Sequence, residues 1–113
     1  MKDVQFVGSS LDDLRAFPKA PKQDMGRQIE RVQRGLDPLD WKPMTQVGSG
    51  VREIRIRDKD NNYRCIYVTN IGDAVYVLHV FRKKSQKTPA PDIEKAKSRL
   101  RALRAQLRKG ESP

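Results

Sequence analysis

Basic side chains crowd one short stretch of this chain, HVFRKKSQKTPAPDIEKA, at residues 79–96. Four cations stand within positions 82–87, directly after an apolar run and before a Thr-Pro pair. Ammonium and guanidinium groups at this density bind phosphate oxygens and stabilise negative charge that develops during a reaction. The stretch can therefore be a solvated connector, a clamp for a phosphate backbone or part of an active site.

A second set of cations occurs in the segment VREIRIR, where polar and apolar side chains alternate. A period of two predicts a strand with Ile54 and Ile56 toward the core, so that Arg55 and Arg57 face outward. The next run is apolar at both parities, so periodicity does not decide the face of Arg64. Neighbouring strands lie about 5 Å apart, and these arginines can therefore converge with the later lysines on one sheet surface.

His79 is the one histidine of the chain, and histidine has an unperturbed pKa suited to proton transfer near neutrality. It lies in the apolar run AVYVLHVF, where a buried, hydrogen-bonded histidine is the more frequent role, so both roles stay open. Strict alternation places His79 with Phe81 on one face and Leu78 with Val80 on the other. The sequence shows neither a Ser-His-Asp partnership nor a glycine-rich phosphate loop, so a triad hydrolase and a P-loop enzyme are not expected.

The composition fits one domain over residues 1–113, a size that buries a single modest core. No segment approaches the roughly 18 apolar residues of a membrane span, and the N-terminus lacks a signal-peptide apolar run. A single cysteine excludes a disulfide framework, and with one histidine it offers too few ligands for a Cys/His zinc site. We therefore expect a cytoplasmic protein with no metal and no other cofactor.

The positive charge is concentrated near the C-terminus. The whole chain carries a net charge of +10. Residues 82–109 contain eleven Lys or Arg and two acids, a net charge of +9. Such asymmetry favours a polyanionic partner, which can be nucleic acid, an acidic membrane surface or an acidic protein. A solvated basic helix is the alternative interpretation.

The predicted fold class is α+β, with an antiparallel twisted sheet of about four strands packed against two N-terminal helices and one C-terminal helix. A short strand candidate, VQFVG, precedes two helices that the prolines of FPKAP separate. Three further runs, VREIRIR, YRCIYVT and AVYVLHVF, are joined by short polar connections. That arrangement is typical of an antiparallel meander.

The last predicted element is a basic amphipathic helix over about residues 89–108. Thr88 is the expected N-cap, and Pro89 occupies the first helical position. The apolar stripe of this helix consists of Ile93, Ala96, Leu100, Leu103 and Leu107. Basic residues cover the remaining surface, so we expect the stripe to pack on the sheet.

Three motifs together resemble the RelE/HigB-like bacterial toxins, and within them the phage-derived branch of the RelE/ParE superfamily. They are FxKKxxKTPxxxIxxA at residues 81–96, ExR at Glu53–Arg55 and YR at Tyr63–Arg64. The resemblance covers about residues 30–105. It implies a small microbial-ribonuclease-like α+β domain, in agreement with the fold that the periodicity predicts.

The resemblance also implies the toxin component of a type II toxin–antitoxin system, an endoribonuclease that cuts mRNA in the ribosomal A site. In such a reaction the 2′-hydroxyl of the RNA attacks the adjacent phosphate and leaves a cyclic phosphate, a mechanism that needs no metal. Arg55 and Arg64 would bind the scissile phosphate, and one of the lysines would give a proton to the leaving oxygen. The expected catalytic residues are Arg55, Arg64, His79, Lys84 and Lys87. The expected RNA-binding residues are Arg52, Arg57, Arg82, Lys83, Lys95 and Arg99.

Several assignments stay open. Better-known RelE proteins carry a lysine where Glu53 stands, so the general base can be His79, Glu53 or a lysine. The alternative functions are a ParE-like gyrase inhibitor and a non-catalytic protein that binds RNA or the ribosome. The expected partners are a cognate antitoxin of the helix-turn-helix type, the 70S ribosome and mRNA, without a membrane or a small-molecule ligand.

Overall fold

The computed structural model describes residues 1–84 and 87–110, so Ser85 and Gln86 of the basic stretch lie outside the described residues. The strands are β1 (Val4–Phe6), β2 (Trp41–Pro43), β3 (Arg52–Asp58), β4 (Asn61–Val68) and β5 (Val75–Lys83). The helices are α1 (Ser10–Arg15), α2 (Lys19–Gln33) and α3 (Ala90–Arg108). Within this described part of the chain, no helix is both long enough and apolar enough to cross a membrane.

The strands form one five-stranded sheet in the order β1-β5-β4-β3-β2. The α+β class, the meander of β3, β4 and β5 and the three helical regions are confirmed. The number and direction of the strands differ from the prediction. β2 is an additional antiparallel strand, because Trp41 pairs with Ile54. β1 is parallel to β5, since the chain enters the sheet edge at β1 and returns beside it only after a long crossover.

Helices pack against both faces of the sheet. α1 and α2 pack on one face, here called the α2 face, and α3 packs on the other, here called the α3 face. Ile54 and Ile56 lie on the α2 face, as the alternation predicts. The stripe of α3 is buried on the α3 face at Ala96, Leu100 and Leu103, which confirms the predicted packing of this helix.

A β-bulge in β5 changes one predicted orientation. The pairing of β4 with β5 shifts between Ile66 and Tyr67, which leaves Leu78 as the extra residue. Leu78 and its neighbour His79 therefore both lie on the α3 face, whereas Val80 lies on the α2 face. The expectation that Leu78 shares a face with Val80 is wrong because strict alternation ends at the bulge.

Arg99 fastens α3 to the turn after β1. Its guanidinium donates hydrogen bonds to the carbonyl oxygen of Leu78 and to Oγ of Ser9, both at 2.9 Å. Gly8 lies directly beneath this guanidinium with a φ of +59°, and a Cβ there would approach Arg99 Nε to 2.7 Å. The turn thus requires glycine both for its backbone conformation and for the space that Arg99 occupies.

We expect Gly8→Ala to destabilise the protein more than Gly35→Ala. Both glycines have positive φ, but in the described part of the chain nothing lies within 4 Å of a Cβ built at Gly35. Gly35→Ala should cost about 1–2 kcal/mol of backbone strain. Gly8→Ala should cost about 1 kcal/mol more, because Arg99 must give up its hydrogen bonds.

Urea unfolding of the two variants measures this difference directly. Equal losses of stability would show that Arg99 makes no net contribution to holding α3 against the β1–α1 turn.

Candidate active site

Strand parity brings three charged side chains of the meander to the α3 face. Arg55 of β3 and Phe81 of β5 are the two pairing partners of Arg64 in the central strand β4. Glu53 pairs with Ile66, whose side chain packs beneath α3, so Glu53 and Arg64 also point to this face. Arg64, whose orientation the sequence left open, is therefore a neighbour of Arg55 and Glu53 on one sheet surface.

Glu53 is the anionic centre of this surface. Its side chain is fully buried, with an exposed fraction of 0%. Oε1 lies 3.4 Å from Arg64 Nε and 3.9 Å from Lys42 Nζ, and Oε2 accepts a 2.7 Å hydrogen bond from Thr88 Oγ1. A carboxylate is stable without water only where cations and donors replace its hydration, and these three groups do so.

Thr88 has a different role from the predicted N-cap. The N-cap of α3 is Pro89, and the Thr88 side chain is buried on the sheet. Its hydroxyl donates to Glu53 and accepts a 3.4 Å hydrogen bond from Lys83 Nζ. The residue therefore ties the start of α3 to both β3 and β5.

Lys83 is the buried lysine of the site, with an exposed fraction of 6%. Burial and, next in size, the neighbouring guanidinium of Arg64 lower the pKa of Lys83, Glu53 opposes the shift, and the resulting pKa is about 8. Burial also lowers the pKa of Arg64. An amine with a pKa near 8 has a useful neutral fraction at physiological pH, so Lys83 can accept or give up a proton there.

Arg55 and Arg64 line a concavity beside this buried group. Arg55 is half-buried, whereas the alternation predicted that it faces solvent, and Arg57 is exposed as predicted. The remaining lining residues of the concavity are Asp40, Ile56, Arg57 and Asn62. Two guanidinium groups at such an opening can bind a phosphate by charge-assisted hydrogen bonds.

His79 lies on the same face but belongs to a separate contact with α3. Its Nε2 donates a 2.7 Å hydrogen bond to Asp92 Oδ1, because the carboxylate can only accept. The His79 ring stacks on Phe81 with 4.7 Å between ring centroids. Burial lowers the pKa of His79, with the bond to Asp92 opposing the shift. Phe81 thus stands next to Arg64 in register, with His79 on its far side.

The other cations named from the sequence occupy two kinds of environment. Arg52 pairs with Asp37 at 2.9 Å and lies over the Trp41 ring, and Arg99 holds α3 to the turn at Ser9. The exposed members are Arg57, Arg82, Lys84, Lys87 and Lys95. Lys84 directly follows the buried Lys83, Lys87 directly precedes the buried Thr88, and Arg52 and Arg99 make contacts within the protein.

Sequence reasoning missed three contributors to this site. Glu53 was considered only as a candidate base, Thr88 only as a cap, and Lys42 not at all. The parity that Glu53 shares with Arg55 was the available signal for its position. No local sequence pattern predicts the contact between Glu53 and Thr88, because the two residues are 35 positions apart in sequence.

The comparisons with known proteins give one result. A family described as phage derived protein Gp49-like (DUF891) matches residues 12–101, which run from α1 into α3 and include the whole candidate site. No curated protein matches this chain.

We expect Glu53→Gln to destabilise the protein far more than Asp37→Asn. Glu53→Gln leaves the buried Arg64 without its carboxylate, a change that costs about 3–5 kcal/mol. Asp37→Asn removes the exposed ion pair with Arg52 and should cost at most about 1 kcal/mol. Denaturant unfolding of both variants tests the comparison, and similar losses would contradict the assignment of Glu53 as the anionic centre.

Lys83 should leave a signature in the pH dependence of stability. Below pH 8 the folded protein carries the full cost of a buried ammonium ion, and this cost is relieved as the pH rises from about 8 toward the ordinary lysine value of 10.5. Relative to Lys83→Met, the wild type should therefore gain about 3 kcal/mol of unfolding free energy across this range.

The difference between the two proteins is the quantity to measure. Burial raises the pKa of both Cys65 and Tyr67, which lowers stability at alkaline pH in wild type and variant alike. A difference that stays constant between pH 7 and pH 10.5 would show that the pKa of Lys83 is not depressed.

Proposed function

This chain belongs to the Gp49-like family of phage-derived proteins, a family in the RelE toxin-like group, and from that premise we propose that it is the toxin of a type II toxin–antitoxin pair. The activity proposed is ribosome-dependent cleavage of mRNA. The observation that carries this proposal is the placement of Lys83, with its lowered pKa, beside Arg55 and Arg64 on one face of the sheet.

The proposed reaction begins with the scissile phosphate bound by Arg55 and Arg64. The 2′-hydroxyl of the preceding ribose attacks the phosphorus atom, and neutral Lys83 accepts its proton. The bond from phosphorus to the 5′-oxygen breaks, and the exposed ammonium group of Lys84 or Lys87 supplies the proton to that oxygen. The products are a 2′,3′-cyclic phosphate and a 5′-hydroxyl.

The arginines supply the electrostatic part of this mechanism. Negative charge grows on the phosphate oxygens as the fifth bond to phosphorus forms. Donors already fixed in position lower the energy of that state, since they need no reorganisation during the reaction. Arg64 meets this condition because it is almost fully buried, and Glu53 Oε1 lies 3.4 Å from its Nε.

The environments of the two other candidate bases favour Lys83 for proton transfer. Glu53 faces Arg64, Lys42 and Thr88, so its carboxylate serves as the counter-ion of the buried cations. His79 donates to Asp92 and stacks on Phe81, away from the pair of arginines. Lys83 combines proximity to Arg64 with a pKa of about 8.

The proposed partners follow from the toxin assignment and from the charge. The exposed basic side chains of α3 suit contact with ribosomal RNA. A cognate antitoxin, proposed to be a helix-turn-helix protein, would neutralise the toxin, and the net charge of +10 favours an acidic contact surface on it.

We expect Lys83→Met to lower mRNA cleavage by at least about 10²-fold, because the reaction loses its general base. Lys19→Met makes the same change at an exposed site at the start of α2 and should leave cleavage unchanged. Cleavage by purified protein on translating ribosomes can be measured by primer extension. The wild-type rate should rise with pH, reach half of its plateau near pH 8, where half of the Lys83 amines are neutral, and level off above that pH.

Three results would contradict the proposal. A folded Lys83→Met protein that cleaves at the wild-type rate would remove Lys83 from the reaction. Inhibition of gyrase supercoiling without RNA cleavage would point to the ParE-like alternative. Salt-sensitive binding to ribosomes without cleavage would indicate a non-catalytic RNA-binding protein.

A further inference from the structure

The hydroxyl of Thr88 joins Glu53 to Lys83 in a directed chain of hydrogen bonds. Thr88 Oγ1 lies 2.7 Å from Glu53 Oε2 and 3.4 Å from Lys83 Nζ. A hydroxyl has one proton, and the carboxylate of Glu53 can only accept, so that proton points at Glu53. The oxygen of Thr88 therefore faces Lys83 as an acceptor in either protonation state of the amine.

The hydrogen bond from Lys83 Nζ to Thr88 Oγ1 restricts the orientation of the Lys83 amine. An N–H bond that points at Thr88 fixes one of the tetrahedral positions around Nζ. The direction of the lone pair in the neutral amine is then restricted to the remaining positions. A base whose lone pair is already restricted needs less reorganisation to take a proton from a bound substrate.

The three residues also come from separate parts of the fold. Glu53 lies in β3, Lys83 ends β5, and Thr88 precedes α3. All three are buried, with exposed fractions of 0%, 6% and 3%. Buried hydrogen bonds between elements hold their partners in place more firmly than exposed ones, because solvent offers no competing partner.

We propose that Glu53 and Thr88 form a positioning pair that orients the Lys83 amine toward the phosphodiester bound by Arg55 and Arg64. This inference rests on the proposed function, because the pair would orient the general base of the proposed cleavage reaction. Neither Glu53 nor Thr88 contacts the RNA in this arrangement. The effect of Thr88 on the reaction passes through Lys83, whereas Glu53 acts both through Lys83 and through Arg64, whose Nε lies 3.4 Å from Glu53 Oε1.

The charges that face Lys83 determine how each substitution acts. The cations are Arg64 on β4, Arg55 on β3 and Lys42 on β2, and all three lower the pKa of Lys83. Glu53 on β3 raises it. Thr88 accepts from the ammonium form, which also favours that form, so loss of the hydroxyl should lower the pKa of Lys83 further.

The test compares Thr88→Val, which keeps the shape and removes the hydroxyl, with Thr88→Ser, which keeps the hydroxyl. Thr69→Val makes the same change just after β4 and serves as the control. Lysine labelled with ¹³C at Cε reports the Lys83 pKa by NMR in each folded protein, and Lys83→Met assigns the signal. The pH profile of mRNA cleavage is measured on the same proteins.

The expected result is a Lys83 pKa lower by about one unit in Thr88→Val, with Thr88→Ser and Thr69→Val close to wild type. The pH at which cleavage levels off should move by the same amount, and the plateau rate of Thr88→Val should fall about tenfold or more. Thr88→Ser should restore most of that rate.

Two results would overturn the inference. One is a Lys83 titration in folded Thr88→Val identical to that of wild type. The other is a shifted titration with an unchanged cleavage profile, since Thr88 would then influence Lys83 without affecting the reaction. If wild-type protein cleaves no RNA, the proposed function fails, and with it the catalytic purpose of the pair, while the NMR titration still decides whether Thr88 holds Lys83.

Discussion

The buried carboxylate of Glu53 is the constraint on which the candidate site depends. Arg64 and Lys83 are both buried on the α3 face, and each would be unstable there as an isolated charge. Glu53 supplies the negative charge that makes their burial possible, with Lys42 at the edge and Thr88 as a neutral donor. Replacing the whole cluster with apolar residues could stabilise the domain, because desolvation of buried ion pairs is seldom fully repaid.

Burial of Lys83 affects both the stability of the fold and the proposed reactivity of its amine. Burial raises the free energy of the ammonium form, and this lowers both the stability of the fold at neutral pH and the pKa of the amine. The two faces of the sheet differ in composition, because the buried charged residues of the site lie only on the α3 face. α1 and α2 pack on the α2 face around Met25 and Ile29. On the α3 face, Leu100 and Leu103 contribute to the apolar core. The buried charged residues lie near the start of α3, where Thr88 donates a hydrogen bond to Glu53.

The sequence predicted most of the framework because its signals there are local. The alternation in β3 defined the orientation of Ile54 and Ile56, and the spacing of Leu100 and Leu103 defined the packing of α3. β4 was ambiguous since it is buried on both faces, so nothing in its pattern could orient Arg64. The parallel pairing of β1 with β5, the bulge at Leu78 and the contact from Thr88 to Glu53 depend on residues distant in sequence, and periodicity carries no information about such pairings.

The central claim is that the cations of the α3 face promote attack by the 2′-hydroxyl of RNA on its own phosphate. The chemical nature of the new RNA ends tests this claim most directly. Mass spectrometry of fragments released from translated mRNA by the purified protein should show a 2′,3′-cyclic phosphate on one fragment and a 5′-hydroxyl on the next. A 3′-hydroxyl paired with a 5′-phosphate would contradict the account, because those ends require attack by water.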